Sequence, residues 1–252
     1  MIQGLYAAAT GMIALEERHA IIANNLANAS TSGFKRQGAV QEGFYQVFLG
    51  ELGTPQLYNA ERGPGGGLKT IESFADFSTG PLQHTGNPLN VALMGPGFIA
   101  VDTPGGVRYT RDGNFTIDAN GQLVTNDGFL VQGAGGGGID VSGGRARIDG
   151  DGIVWVDGIQ TGQLGIVEFA DPGALLRQGD NLFAANPESL AQSAPATETT
   201  VVGGSLEASN VQVPEEMASM ILGMRAYTAN QKVISSVDET VGRLINDVGS
   251  PA

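Results

Sequence analysis

The sequence predicts an α+β fold in which long N- and C-terminal helices pair as a coiled-coil-like helical domain and carry a central, mostly antiparallel β-rich domain. Two end segments repeat apolar residues about every 3.5 positions, which is the period of helices that pack along a seam. The stretch between them is dense in glycine and in Asp-Gly and Asn-Gly steps. Charge divides the chain at similar places: residues 1–50 are neutral overall, residues 51–209 carry eighteen acids against seven bases, and residues 210–252 carry five against three. The expected domains are 1–36, an N-terminal helix; 37–205, a Gly-rich β domain with its connectors; and 206–252, a C-terminal helix.

In chain order, Leu5, Ala8, Met12, Leu15, His19, Ile22, Leu26 and Ala29 fall at alternating spacings of four and three and predict the first helix. It should stop near Ser30-Thr31-Ser32-Gly33, where side chains that bond the local backbone precede a glycine able to turn left-handed. Short apolar or alternating runs then predict strands at 91–94, 98–101, 107–110, 114–117, 122–124, 129–132, 153–156 and 164–169. Asp112-Gly113, Asn120-Gly121, Asp127-Gly128 and Asp157-Gly158 lie between them and should supply the positive φ of tight hairpins. Ser193 to Thr200 reads as a connector. The second helix should begin between Asn210 and Pro214, with Glu215 and Glu216 opposing the positive end of its dipole. Its seam is expected to run through Met217, Met220, Met224, Tyr227, Gln231, Ile234, Val237, Val241, Leu244 and Val248. Helices of this length are marginal alone in water, so each needs a partner along its seam.

Composition excludes several functions. The chain has 252 residues, a formal charge of −13 and no cysteine. Such acidity opposes nucleic acid and anionic membrane surfaces, and the lack of thiols removes disulfides, thiolate nucleophiles and Cys-ligated metals. No uncharged run is free of Gly and Pro for long enough to span a bilayer, and no secretory signal peptide is evident, so membrane insertion is not expected. Gly133-Ala-Gly135-Gly-Gly-Gly138 satisfies a dinucleotide fingerprint in letters alone, because no helix pattern follows to hold a pyrophosphate. Asp149-Gly-Asp151-Gly starts like a calcium loop but lacks the later ligands, and His19 and His84 lie in no catalytic motif. No catalytic residue, cofactor or metal is therefore expected.

The most unusual local sequence is Ala23-Asn24-Asn25-Leu26-Ala27-Asn28-Ala29-Ser30-Thr31-Ser32-Gly33-Phe34-Lys35. Asparagine is a poor interior helix former, so amides at 24, 25 and 28 should bond something outside their own helix. This segment resembles the signature of the flagellar basal-body rod and hook proteins, the axial family of the bacterial flagellum. Residues 87–133 and 206–244 resemble the family's β-domain block and its C-terminal helix, in the same order. Chain length is similar to that of a rod component rather than the hook protein, which carries a larger outer insertion.

The resemblance implies a non-enzymatic subunit of the flagellar rod, exported without a cleaved signal through the flagellar type III apparatus and assembled in the periplasm. Its partners would be copies of itself and other rod and hook proteins, in a helical tube that transmits torque from motor to hook. Both end helices would then belong to an inner helical domain, with the β domain outside. The residues expected at the assembly interface are Leu5, Met12, Leu15, Ile22, Asn24, Asn25, Leu26, Asn28, Thr31, Gly33 and Phe34 in the first segment. Asn210, Met217, Ile221, Met224, Arg225, Tyr227 and Ile234 are their counterparts in the last. An adhesin-like β module on a helical stalk, and a β-rich hydrolase using mid-chain carboxylates, are the alternatives.

Overall fold

The computed structural model describes residues 2–43, 68–186, 190 and 193–249, which form two compact units. The first comprises Met1–Ala27, Gln37–Phe74 and Gln212–Ala252; the second comprises Asn28–Arg36 and Ala75–Val211.

Two long helices dominate the first unit, α1 (Ile2–Ala27) and α2 (Val213–Gly249), beside the paired strands Gln37–Gly43 and Leu68–Ala75. Gln212 opens α2 by accepting the Glu215 and Glu216 N–H groups at 3.0 Å each, and Pro214 sits in the first turn, where no N–H is needed. The helices pack antiparallel: Gly11 lies against Asn230 and His19 lies against Gly223. Ala8, Gly11, Ala14, Ile22 and Asn25 of α1 are buried, as are Glu216 and Gly223 of α2. Among the described residues, no helix is long and apolar enough to cross a membrane.

The expected seam of α2 holds in part. Met220, Ile234 and Val237 are half-buried, whereas Met217, Met224, Tyr227, Gln231 and Val241 are exposed, the side chains of Leu244 and Val248 lie outside the described ones, and Glu216, Gly223 and Asn230 complete the covered face. These also keep a spacing near seven, but they centre on a glycine that lets α1 approach closely, which a run of methionines would prevent. With 26 residues α1 is roughly 39 Å long, and α2 with 37 is roughly 55 Å. Continuing the observed register sets Ile2 opposite about residue 238, so the final turns of α2 run on with no α1 beside them.

The second unit is antiparallel β throughout its recorded pairings. Phe98–Thr103 pairs with Gly106–Thr110, with Leu130–Val131 and with Ile166–Phe169. Its residues are buried on both faces: Ile99 and Val101 enter a core with Val91, Leu93, Leu123, Val131 and Val154, while Phe98 and Ala100 enter a second core with Tyr109, Phe169 and Phe183. A continuous apolar run, rather than an alternating one, follows from that double burial. Ala146–Ile148, Ile153–Val156 and Ile159–Gln163 form a separate meander.

Each of the eight predicted strands is present within one or two residues at its ends. Ser193 to Thr200, expected as a connector, is in part strand: Ser193–Pro195 pairs with Ile166–Phe169, and Thr200–Gly203 pairs with Val91–Met94. Both were hidden because they are only three and four residues long and pair with residues distant in the chain. Asn120-Gly121, Asp127-Gly128 and Asp157-Gly158 supply positive φ, at 79° for Gly121, 86° for Gly128, and 48° and 86° for Asp157 and Gly158. Gly113 does not take positive φ; it is glycine because a Cβ there would lie 1.8 Å from the Val91 carbonyl oxygen. The Asp149 carboxylate is occupied by its own loop, accepting from the Asp151 and Ile153 N–H groups at 3.0 Å each and from Trp155 Nε1 at 2.8 Å. Gly133–Gly137 close a turn bounded by bridges from Gln132 to Gly138 and Gly133 to Leu164, and no helix follows it.

Candidate assembly surface

The signature segment divides between the two units. In the first, buried Asn25 bonds both backbone groups of Gln37: its Nδ2 donates to the Gln37 carbonyl and its Oδ1 accepts the Gln37 N–H, each at 2.8 Å. A carboxamide in this position copies the donor-acceptor pair of a strand neighbour. Asn25 therefore bonds outside its helix, as expected. Asn24 is exposed, Leu26 is half-buried, and the half-buried Asn28 accepts from Thr31 through its carbonyl and side chain at 3.1 and 3.3 Å. Helix α1 ends at Ala27, earlier than expected, because Asn28 begins this turn.

In the second unit, residues 32–36 are held by polar groups from distant strands. Ser32 Oγ donates to Asp112 at 2.7 Å, and Asn181 Nδ2 donates to the Ser32 carbonyl at 2.9 Å. Gly33 has φ +66°, as expected of it, and donates to the Glu207 carbonyl at 2.8 Å; a Cβ there would lie 2.5 Å from the Asp112 nitrogen. Buried Phe34 lies under the Arg177 guanidinium, 4.2 Å from its ring centre. Asn210 accepts the Arg36 N–H at 2.7 Å and donates to the Asp76 carbonyl at 2.8 Å.

At the centre is Lys35, 1% exposed, whose Nζ donates to Glu207 Oε1 at 2.6 Å and to the Ser78 carbonyl at 2.8 Å. The same carboxylate oxygen accepts the Gly80 N–H at 2.8 Å, and Arg111 Nη1 stands 3.8 Å from its other oxygen. Burial pulls the Lys35 ammonium below its ordinary range, against the opposing pull of Glu207, and burial lowers Arg111 as well. Asp112 is pushed up by burial in spite of its bonds from Ser32 and the Asn114 N–H. Sequence reasoning missed Glu207 and Arg111. Glu207 had one signal, and it was negative: it is a charge in a strand-forming stretch with no basic residue nearby in the chain, whereas Arg111 is followed at once by Asp112 and gave none.

The remaining expected interface residues lie on the helices. Met217, Ile221 and Met224, at 50%, 54% and 53% exposure, form an open apolar stripe on α2 at spacings of four and three. Arg225 and Tyr227 are exposed beside it, and Ile234 is half-buried. On α1, Leu5 is exposed, Met12 and Leu15 are half-buried and Ile22 is buried. Among the described residues, no three His, Asp or Glu side chains gather as a metal site.

Three family descriptions match the chain in order. Residues 5–35 match the flagella basal body rod protein, 92–160 the D1 domain of the flagellar hook protein FlgE/F/G, and 202–247 the C-terminal part of the flagellar basal body rod FlgEFG protein. The flagellar basal-body rod protein FlgG of Buchnera aphidicola is 35% identical over 97% of this chain and 99% of its own. The rod protein FlgF of Rhizobium meliloti is 33% identical over 99% of each chain, and FlgG of Bacillus subtilis is 33% identical over 98% and 99%. Identity at this level along the whole length shows that the chain belongs to the flagellar basal-body rod protein family, whose members are structural subunits.

Proposed function

We propose that the protein is an axial subunit of the bacterial flagellar basal-body rod, built with copies of itself and with other rod and hook proteins into the tube that carries torque to the hook. The observation that carries this reading is the open stripe of Met217, Ile221 and Met224. Three large apolar side chains on one face of a long helix lose free energy in water that a neighbouring helix would recover. Packing of α1 on α2 is the intrachain half of a coiled-coil-like bundle, and neighbouring subunits supply the other half. Domains 1–36, 37–205 and 206–252 then act as inner helix, outer β domain and inner helix. Export without a cleaved signal through the type III apparatus, and assembly in the periplasm, follow from the same reading.

Direct contact with neighbours falls to the exposed residues: Leu5, Asn24, Met217, Ile221, Met224, Arg225 and Tyr227. Met12, Leu15, Leu26, Thr31, Asn210 and Ile234 are half-buried and border that surface. Ile22, Asn25, Gly33 and Phe34 are buried and fix the backbone that presents it.

Within the family, a FlgF-like identity is favoured. The FlgF relatives of Rhizobium meliloti and Caulobacter vibrioides align over 253 and 251 positions, almost the length of this chain, and FlgG relatives over 257 to 265. A FlgG-like distal rod subunit is the second reading. Tracing this chain in cryo-electron microscopy density of purified basal bodies tests both: a FlgF-like or FlgG-like position in the rod decides between them. A rod wholly accounted for by other chains would refute the proposal and favour the adhesin-like module.

A further inference from the structure

Four glycines mark the two long helices within residues 4–242, and they divide into two kinds. A Cβ added at Gly4 or Gly242 would meet nothing within 4 Å. One added at Gly11 would lie 3.2 Å from Asn230 Nδ2, and one at Gly223 would lie 2.8 and 2.9 Å from Cε1 and Nε2 of His19. Each helix thus carries one notch and one polar knob, and each knob is seated in the other helix's notch. Eight residues separate the two contacts on α1 and seven on α2, about two turns in both.

We propose that these reciprocal contacts, Gly11 with Asn230 and His19 with Gly223, are the specificity determinant that admits a single register of α1 on α2. An apolar repeat near 3.5 residues cannot do this alone, because a slip of seven residues restores the same pattern. The notches break that degeneracy. A slip of one heptad in one direction sets Gly11 against Gly223, leaving a void, and drives His19 onto Glu216. The slip in the other direction sets His19 on Asn230, knob against knob. Both glycines weaken their helices relative to alanine. Both ring nitrogens of His19 are also enclosed with no hydrogen-bond partner. Features that each oppose stability fit a selection for one arrangement over its neighbours.

Disulfide trapping in the full chain tests this on a clean background, since the protein has no cysteine. Leu15 lies midway between the two α1 contacts, and Tyr227 midway between those on α2. Leu15→Cys with Tyr227→Cys reports the observed register, and Leu15→Cys with Met220→Cys or Ile234→Cys reports a slip of one heptad either way. The in-register pair should close faster than either slipped pair by about tenfold, the ratio that a preference of about 1.4 kcal/mol gives. Adding Gly223→Ala should erase that selectivity, adding Gly242→Ala should leave it intact, and His19→Ala on top of Gly223→Ala should restore it. Equal closure of the three pairs in the otherwise unaltered chain would overturn the proposal. So would a Gly223→Ala effect no larger than that of Gly242→Ala, or failure of His19→Ala to restore what Gly223→Ala removes.

Discussion

Lys35, Glu207 and Arg111 show how much one short segment depends on distant chemistry. The signature sequence places a lysine where it is buried, and its charge is tolerated because a carboxylate 172 residues later accepts from it. Removing one member of such a group costs more than the group contributes, since the remaining charges stay buried. Glu207→Gln, which removes the carboxylate that Lys35 and Arg111 share, should lower unfolding free energy by roughly 3–5 kcal/mol in chemical denaturation. Lys35→Met should cost less, because Arg111 and the Gly80 N–H still face the carboxylate. An equal or inverted ranking would show that this is not the organising centre of the segment. Glu168 offers a test through pH. Partial burial pushes its carboxyl up, but bonds from the Thr199 hydroxyl and the Thr199 and Glu198 N–H groups outweigh that and hold it below 4.5. A depressed folded value stabilises above 4.5 and is lost as pH falls through the depressed range. The Tm deficit of Glu168→Gln should therefore be largest near neutrality and shrink below that pH; a deficit unchanged with pH would contradict the assignment.

Elements are joined by equally local devices. Asn25 is the hydrogen-bond partner of both backbone groups of Gln37, so Asn25→Ala should speed hydrogen exchange at the Gln37 amide. It should also cost about 1–3 kcal/mol, the penalty for leaving buried polar groups unmet. Gly113→Ala should be as damaging as a core truncation, since its methyl would strike the Val91 carbonyl; a thermal melt within a degree of the parent would refute the close approach. Strands such as Val91–Met94 and Phe98–Thr103 were legible in the sequence because they are apolar and end at glycine-containing turns. Leu82–His84 and Ser205–Glu207 were not, because they are polar and pair across more than a hundred residues. The helices were legible in type and extent, but the face α2 turns to α1 was legible only at Met220, Ile234 and Val237. Period 3.5 fits several rotations of one helix, and the decision rests on Gly223, whose missing side chain gives no apolar signal. The segment at 23–35 stood out by its asparagines, while nothing near Glu207, Arg111 or Asp112 in the sequence tied them to its second half, Asp112 being marked as a turn residue alone.

Considered as a whole, the molecule spends its apolar surface unevenly. The β unit closes two cores, whereas α2 leaves Met217, Ile221, Leu222 and Met224 largely open. Ile221→Asp with Met224→Asp should leave the isolated chain as stable as the parent, because neither side chain is buried there. The same pair should abolish motility and retain the subunit outside the basal body; normal swimming would remove the stripe from the assembly surface. Antiparallel pairing adds a second asymmetry, since α2 continues for about ten residues past the start of α1. A helical hairpin with legs of equal length is blunt, and two blunt ends look alike to an arriving copy. Unequal legs make the subunit a staggered joint: at one end α2 reaches past the start of α1, and at the other both helices run on into the chain of the β unit. Such a joint has a direction, and a polymer built from it would carry that direction along its length, each added copy completing one seam and leaving the next one open.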